Sequence, residues 1–250
     1  MYIREPVNSL THFAGMLAAI PATLFLLRLC RGDRVKFAGM AVYGFSLIAC
    51  FAGSGLFHAV PPVYEEEASL FDHIGIYLLI AGTVTPIGLI VLRGGWRLLL
   101  VGGLWVLAAT GIGLRLFCEP PLEVRTGLYL VMGWIGCALY FKLTRRLSHA
   151  KVTPMWLGGI LYSVGAGVNL AAFPPWFCAR FFTPHELFHV LVLAAAACHY
   201  YFMLAVLVPF RRLPAFADEA PPALRPAVPP VGVVLTSSGA GRSGSAVNAR

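Results

Sequence analysis

The sequence predicts an all-α membrane protein, a bundle of seven transmembrane helices followed by a disordered tail. Hydrophobic residues make up 58% of the 250 residues and charged residues only 12%, whereas a soluble domain has about 25% charged residues. The apolar residues are gathered into seven runs of about the 20 residues that cross a bilayer. Only short loops separate these runs, so we expect one compact bundle.

The seven predicted spans cover residues 8–28, 38–59, 72–92, 98–117, 125–142, 153–173 and 185–209. The fifth span is the shortest. Polar side chains interrupt the start of the first run, which is not typical of a cleavable signal. Small residues in the segments Gly102–Gly113 and Tyr162–Asn169 favour close helix packing.

The chain changes character after the seventh run. Residues 214–250 are rich in Pro, Ala, Gly and Ser and have few large apolar side chains, so we expect this tail to be disordered. The predicted membrane domain is therefore residues 1–213. The six cysteines include no C-x-x-C pair, and we interpret them as small core residues.

Lysine and arginine are unequally divided between the two sides of the predicted bundle. The side with the N-terminus and loops 60–71, 118–124 and 174–184 has four arginines near span ends, and the opposite side has twelve basic residues. Because Lys and Arg favour the cytoplasm, these charges predict an N-terminus outside and a C-terminus inside. Despite the net charge of +8, the scattered basic residues exclude a nucleic-acid footprint.

Three histidines, His58, His185 and His189, lie at span ends on the N-terminal side. Ionisable side chains at membrane depth are costly and need a partner or a function. His185 and His189 are one helical turn apart on one face, and His58 ends another span at the same level. Since zinc in catalytic sites takes three protein ligands and a water, we interpret the three as metal ligands. The alternative is a set of interfacial histidines bonded to backbone or water.

Asp72 and Ser54 are the candidate catalytic residues. Asp72, at the predicted start of the third span, could accept a proton from water or orient a histidine, or it could be the N-cap of that helix. Ser54, one turn before the first histidine, could donate to a developing oxyanion or bond its own helix backbone. Glu5, Asn8 and His12 lie at the same level and are candidates for supporting the metal ligands.

The segment His185-Glu-Leu-Phe-His189 also matches the H-E-x-x-H pattern of zinc metalloproteases. An intramembrane protease would need a further acidic ligand in another span, and the sequence offers none beyond Asp72. Glu186 faces away from both histidines and suits the positive start of its helix. His199 lies about 15 Å deeper and is excluded from the metal shell. His73 faces away from its neighbour Asp72 and is predicted to be interfacial.

Several stretches, spread in order over residues 5 to about 205, together resemble the hemolysin III branch of the progestin and adiponectin receptor family. They are Glu5-Pro-Val-Asn8-Ser-Leu-Thr-His12, Ser54-Gly-Leu-Phe-His58, Phe71-Asp72-His73-Ile-Gly-Ile-Tyr77, Ala81-Gly-Thr-Val-Thr-Pro86 and His185-Glu-Leu-Phe-His189. The family is part of a wider group that includes the alkaline ceramidases, membrane hydrolases of lipid amides.

The resemblance implies a Zn²⁺ ion on His58, His185 and His189, with Ser54 and Asp72 beside its water. It also implies a site that faces the cytoplasm. Family members often have basic residues in the loop at 60–71, where this chain has three glutamates. The family orientation and the charge distribution therefore disagree.

The resulting hypothesis is a zinc-dependent hydrolase of lipid amide or ester bonds in the plasma or inner membrane, with a membrane lipid as its substrate. One alternative is a membrane receptor or transducer in which zinc is structural. Another is a lytic protein, although seven apolar spans with few buried charges offer no evident conduction path. The sequence does not indicate a protein partner.

Overall fold

The computed structural model describes residues 3–174 and 182–211 and contains helices but no strand among them. The helices are α1 Pro6–Leu29, α2 Arg34–Ala59, α3 Glu65–Val91, α4 Gly94–Phe117, α5 Leu122–Ile135, α6 Tyr140–Leu143, α7 His149–Ala171 and α8 Pro184–Phe202. A 3₁₀ turn joins α5 to α6, and the two helices form the fifth span. A π-helical turn, Met203–Leu207, extends α8.

The prediction of an all-α, multi-pass membrane protein is confirmed. Six of the described segments are long and apolar enough to cross a membrane, and α7 adds a helix of 23 residues beside α8. The boundary at residue 213 and the tail at 214–250 lie outside the described residues, so those two predictions stay predictions.

The start of the third helix differs from its prediction. Helix α3 begins at Glu65, because the three glutamates suit the positive helix start and extend the helix beyond the apolar run. Asp72 therefore lies two turns inside α3, and its interpretation as the N-cap of this helix is wrong.

Helices α2 and α3 pack against each other closely through glycine. A Cβ atom on Gly53 would lie 2.6 Å from the carbonyl oxygen of Phe71, and one on Gly75 would lie 2.7 Å from the Cα atom of Cys50. Such contacts require glycine, because real Cβ atoms do not approach backbone so closely. The approach places Asp72, which follows Phe71, against the turn of α2 that contains Ser54.

Contacts between neighbouring helices fix which helix ends lie together. Ser9 of α1 donates to the carbonyl oxygen of Gly55 near the end of α2 over 3.1 Å. At the start of α8, His185 contacts Asn169 near the end of α7. The starts of α1 and α8 therefore lie at the same end of the bundle as the last turns of α2 and α7.

We expect Gly75→Ala to destabilise the protein by about 1–3 kcal/mol, the usual effect of adding a methylene to a packed interface. The new methyl group would force α2 and α3 apart. Gly103→Ala is the matched control, since a Cβ at Gly103 in α4 meets no atom within 4 Å. Thermal unfolding in detergent measures both variants, and equal melting temperatures would contradict the packing argument.

Candidate metal centre

The three histidines predicted as metal ligands lie together at one end of the bundle. His58 is in the last turn of α2, and α8 presents His185 and His189 from its first two turns. Their ligand atoms all lie within 4.8 Å of one another. His58 and His189 are each only 2% exposed.

The start of α8 is held by its own cap. The Thr183 side chain accepts from the backbone N–H of His185, Glu186 reaches back to Thr183, and Pro184 occupies the first turn. This reciprocal cap satisfies backbone donors that a helix start leaves free. It fixes the first turn, and therefore the direction in which His185 projects.

Hydrogen bonds determine which ring nitrogens can bind a metal. Nδ1 of His58 donates to Oε2 of Glu5 over 2.7 Å, and Nδ1 of His185 donates to Oδ1 of Asn169 over 2.8 Å. Each Nε2 atom is then left with a lone pair, and the two Nε2 atoms face each other at 3.3 Å. Two facing lone pairs repel, so the arrangement favours a cation between them.

This separation also fits a four-coordinate metal. With metal–nitrogen bonds of about 2.0–2.1 Å, two ligand nitrogens of a tetrahedral centre lie about 3.3–3.4 Å apart. The third candidate ligand, His189, has a buried Nδ1 atom without a hydrogen-bond partner among the described residues. The donor set therefore fits a divalent metal that prefers imidazole ligands.

His12, predicted to support the site, packs directly on a metal-ligand candidate. Its ring lies parallel to that of His189, with centroids 3.8 Å apart and planes inclined by 14°. Both ring nitrogens of His12 are buried and lack a hydrogen-bond partner within residues 3–174 and 182–211. His12 therefore holds the imidazole plane of His189 by stacking.

Glu5 and Asn8, the other two predicted supporting residues, connect α1 to both ligand helices. Asn8 donates to Oε2 of Glu5 over 2.8 Å and to Oε1 of Glu186 over 3.2 Å. Burial raises the pKa of Glu5, but the bond from Asn8 and the nearby His58 and Arg4 outweigh burial and hold the pKa below its ordinary value. Glu5 is therefore a carboxylate, which orients His58 and strengthens it as a ligand.

The structure brings Asp72 and Ser54 together beside this cluster. Both side chains line one cavity with His185 and His189, and the Arg125 guanidinium is close enough to Asp72 to act on it electrostatically. Ser54 lies one turn before His58 on α2. Asp72 is not one of the clustered ligand residues, and it lines the cavity beside them.

A cavity of about 280 Å³ begins at these residues and continues into the bundle. At one end it is lined by Ser54, Asp72, His185 and His189, and it reaches His199 on α8. His199 lies ten residues beyond His189 on α8, and ten residues of helix span about 15 Å. Most of its other wall residues are apolar side chains from α3, α5, α7 and α8. The polar cluster therefore lies at one end of a deep, largely apolar cavity.

Several residues near the site were not predicted from the sequence. Asn169 orients His185, and Arg115 and Arg125 both contact Nδ1 of His73, over 3.0 and 3.1 Å. Arg115 is only 6% exposed. The sequence does show two arginines on either side of a short loop between apolar spans. It does not show that they contact His73, because the directions of their side chains depend on tertiary contacts. His73, expected at the interface, lies between them and lines the cavity.

Two further sequence interpretations can be compared with the structure. The carboxylate of Glu186, which a metalloprotease would use to activate water, is bonded to Thr183 and Asn8 at the helix start. His199 donates from Nε2 to the carbonyl oxygen of Met155 over 3.1 Å, far from the ligand cluster along α8. Neither residue takes part in the three-histidine arrangement.

Comparison with known proteins shows similarity over nearly the whole described chain. Residues 1–200 match the family described as "Haemolysin-III related". "Hemolysin-3" of Bacillus cereus is 34% identical over 215 residues, which cover 83% of this chain and 94% of that protein. "Hemolysin-3 homolog" of Bacillus subtilis (strain 168) is 34% identical over 214 residues, which cover 82% and 96%. "Adiponectin receptor protein" of Drosophila melanogaster is 27% identical over 225 residues, which cover 79% of this chain and 49% of that protein.

We expect Glu5→Ala to lower the affinity for a divalent metal about 10–100-fold, because His58 loses the carboxylate that orients it. Competition with a chromophoric chelator measures the affinity. Glu67→Ala, which removes an exposed carboxylate from the same end of the bundle, is the control and should leave the affinity unchanged. An unaltered affinity in Glu5→Ala would show that the bond from His58 to Glu5 does not support metal binding.

Proposed function

The chain belongs to the Haemolysin-III related family, the hemolysin III branch of the progestin and adiponectin receptor proteins, and from this membership and its histidine cluster we propose a zinc-dependent membrane hydrolase. Its substrates are lipids with an amide or ester bond. The observation that carries the proposal is the position of three converging imidazoles, with Ser54 and Asp72 beside them, at one end of a deep apolar cavity.

The proposed metal is zinc, held by His58, His185 and His189. Three imidazoles with one position left for water or substrate are typical of catalytic zinc, whereas structural zinc is closed by four protein ligands. When bound, zinc supplies Lewis acidity, which polarises a carbonyl group and makes water a stronger acid. Glu5 and Asn169 keep the ligand nitrogens of two histidines free of protons.

The remaining polar residues supply the proton chemistry of hydrolysis. Asp72 is the proposed general base, which takes a proton from the attacking water and returns it to the leaving amine or alcohol. Ser54, which lines the same cavity one turn before His58, is the proposed donor to the developing oxyanion. Arg125 places a positive charge beside the Asp72 carboxylate.

The cavity supports a lipid substrate in particular. An acyl chain can lie along the apolar walls toward His199 while its carbonyl group stays at the polar end. The polar end is formed by the terminal turns of α2 and α8, where a membrane protein meets the headgroup region. A bond between the acyl chain and the headgroup would therefore be presented to Asp72 without leaving the membrane.

We expect the purified protein to contain about one zinc per chain and the single variants His58→Ala, His185→Ala and His189→Ala to lose most of it. The three imidazoles hold one ion together, so the loss of any one leaves too few protein ligands to retain it. Inductively coupled plasma mass spectrometry measures the metal. His149→Ala at the opposite end of the bundle is the control, and undiminished zinc in all three variants would refute the metal assignment.

We expect Asp72→Asn to retain zinc but to lose hydrolysis by about 100-fold or more, the usual effect of removing a general base. Lipidomics of membranes that contain the wild-type or variant protein measures free fatty acid and the released amine or alcohol. Glu123→Gln, which alters an exposed carboxylate at the start of α5, is the control.

The Asp72→Asn variant also separates the two other candidate functions, when its biological effect and its leakage of liposomes are measured. A variant that keeps zinc and every biological effect would favour a receptor or transducer with structural zinc. Leakage of liposomes that is independent of zinc and of Asp72 would favour a lytic protein. Either result would contradict the hydrolase.

A further inference from the structure

The cavity has a second set of polar side chains, deeper in the bundle than the three-histidine cluster. They are His199 on α8 and Trp156 and Tyr162 on α7, and all three line the cavity. The proposed hydrolysis uses none of them. An ionisable side chain deep inside a transmembrane helix is costly and marks a functional site unless its partners account for it. We call these three residues the deep subsite.

His199 packs closely on α7 and has one ring nitrogen left over. A Cβ atom on Gly158 would lie 2.4 Å from Cδ2 of His199, so the glycine makes room for the imidazole. In this position Nε2 donates to the carbonyl oxygen of Met155 over 3.1 Å. A neutral imidazole with its proton on Nε2 has a lone pair on Nδ1. That Nδ1 atom is buried and accepts no hydrogen bond from the described residues.

Two donors lie at the same part of the cavity. Tyr162 is one turn beyond Gly158 on α7, and its ring centroid is 5.5 Å from that of His199. The Tyr162 hydroxyl and Nε1 of Trp156 are buried, and neither has a hydrogen-bond partner within residues 3–174 and 182–211. Buried polar groups are normally paired, because an unpaired one loses the hydrogen bonds that water would give it. The deep subsite therefore offers two donors and one acceptor to a guest.

We propose that the deep subsite binds a hydroxyl group on the acyl chain of a lipid, an inference that rests on the proposed function for the place of that chain in the cavity. A hydroxyl group is both a donor and an acceptor. It donates to Nδ1 of His199 and accepts from Tyr162 or Trp156. A ketone or a carboxylate has no proton for Nδ1, and a plain methylene group satisfies neither side.

The depth of the deep subsite fixes where on the chain the hydroxyl lies. His199 is ten residues beyond His189 on α8, which is about 15 Å along the helix. A lipid whose carbonyl group is at the three-histidine cluster therefore presents the middle of a long acyl chain to His199. A site with buried polar groups disfavours the analogue that leaves them unpaired. The structure thus predicts selection for a mid-chain hydroxyl over the same chain without one.

Oleate and ricinoleate are the matched probes for this selection, because ricinoleate is oleate with one added mid-chain hydroxyl. Their affinities for the purified full-length protein are measured in detergent by displacement of a fluorescent fatty acid. We expect ricinoleate to bind about 10-fold more tightly than oleate, the effect of the hydrogen bonds gained in a buried site. Equal affinities would mean that the deep subsite holds only water, and this result would overturn the proposal, as would a failure of both fatty acids to bind.

Two variants locate the hydroxyl. His199→Leu removes the acceptor and should abolish the preference for ricinoleate, and Tyr162→Phe removes only a hydroxyl and should reduce the preference several-fold. The affinity for oleate should stay unchanged, which shows that the cavity is intact. Tyr200→Phe is the control, because the Tyr200 hydroxyl donates to the carbonyl oxygen of Ala22 over 3.0 Å and does not line the cavity. If His199→Leu does not fold, the nearly isosteric Tyr162→Phe decides.

A preference for ricinoleate that survives in both variants would place the hydroxyl elsewhere and overturn the proposal. The binding measurement requires no hydrolysis, so it separates the deep subsite from the proposed function. If membranes with the wild-type protein release no lipid product while the purified protein prefers ricinoleate, the hydrolase fails and the deep subsite stands. If lipid product is released and the two fatty acids bind equally, the deep subsite fails alone.

Discussion

Two hydrogen bonds, from His58 to Glu5 and from His185 to Asn169, determine what the polar end of this bundle can do. They place the protons of both imidazoles on the outer nitrogens and turn two lone pairs toward each other at 3.3 Å. In a low-dielectric setting that arrangement is unfavourable without a cation. The candidate metal site is thus defined by the carboxylate and the amide behind the histidines as much as by the histidines.

The rest of the fold keeps these partners in position. Glycines 53 and 75 let α2 and α3 approach closely, which brings the backbone of Asp72 against the turn of α2 that contains Ser54. The N-cap and first two turns of α1 place Glu5, Asn8 and His12 between α2 and α8. Most of these contacts join parts of the chain that are distant in sequence, so the polar cluster depends on how α1, α2 and α8 pack together.

Several features of the site could be predicted because their causes are local. The spacing of His185 and His189 is fixed by the helix repeat. The apolar run that ends at His58 fixes the depth of His58 in the membrane. The start of α3 could not be found from hydropathy, because its first turn is acidic and its helical state comes from charge at the helix start. The contacts of His73 could not be predicted, because its neighbours, Arg115 and Arg125, come from two other helices.

The sequence by itself determined that this is a seven-helix membrane protein, which three histidines share one level, and which end of the bundle is basic. These follow from hydrophobic length, helical spacing and charge order along the chain, all of which are properties of short segments. Only the tertiary structure decided which ring nitrogens are free, that Asp72 and Ser54 line one cavity, and where that cavity leads. Those features depend on the rotation and register of packed helices, which no local pattern specifies.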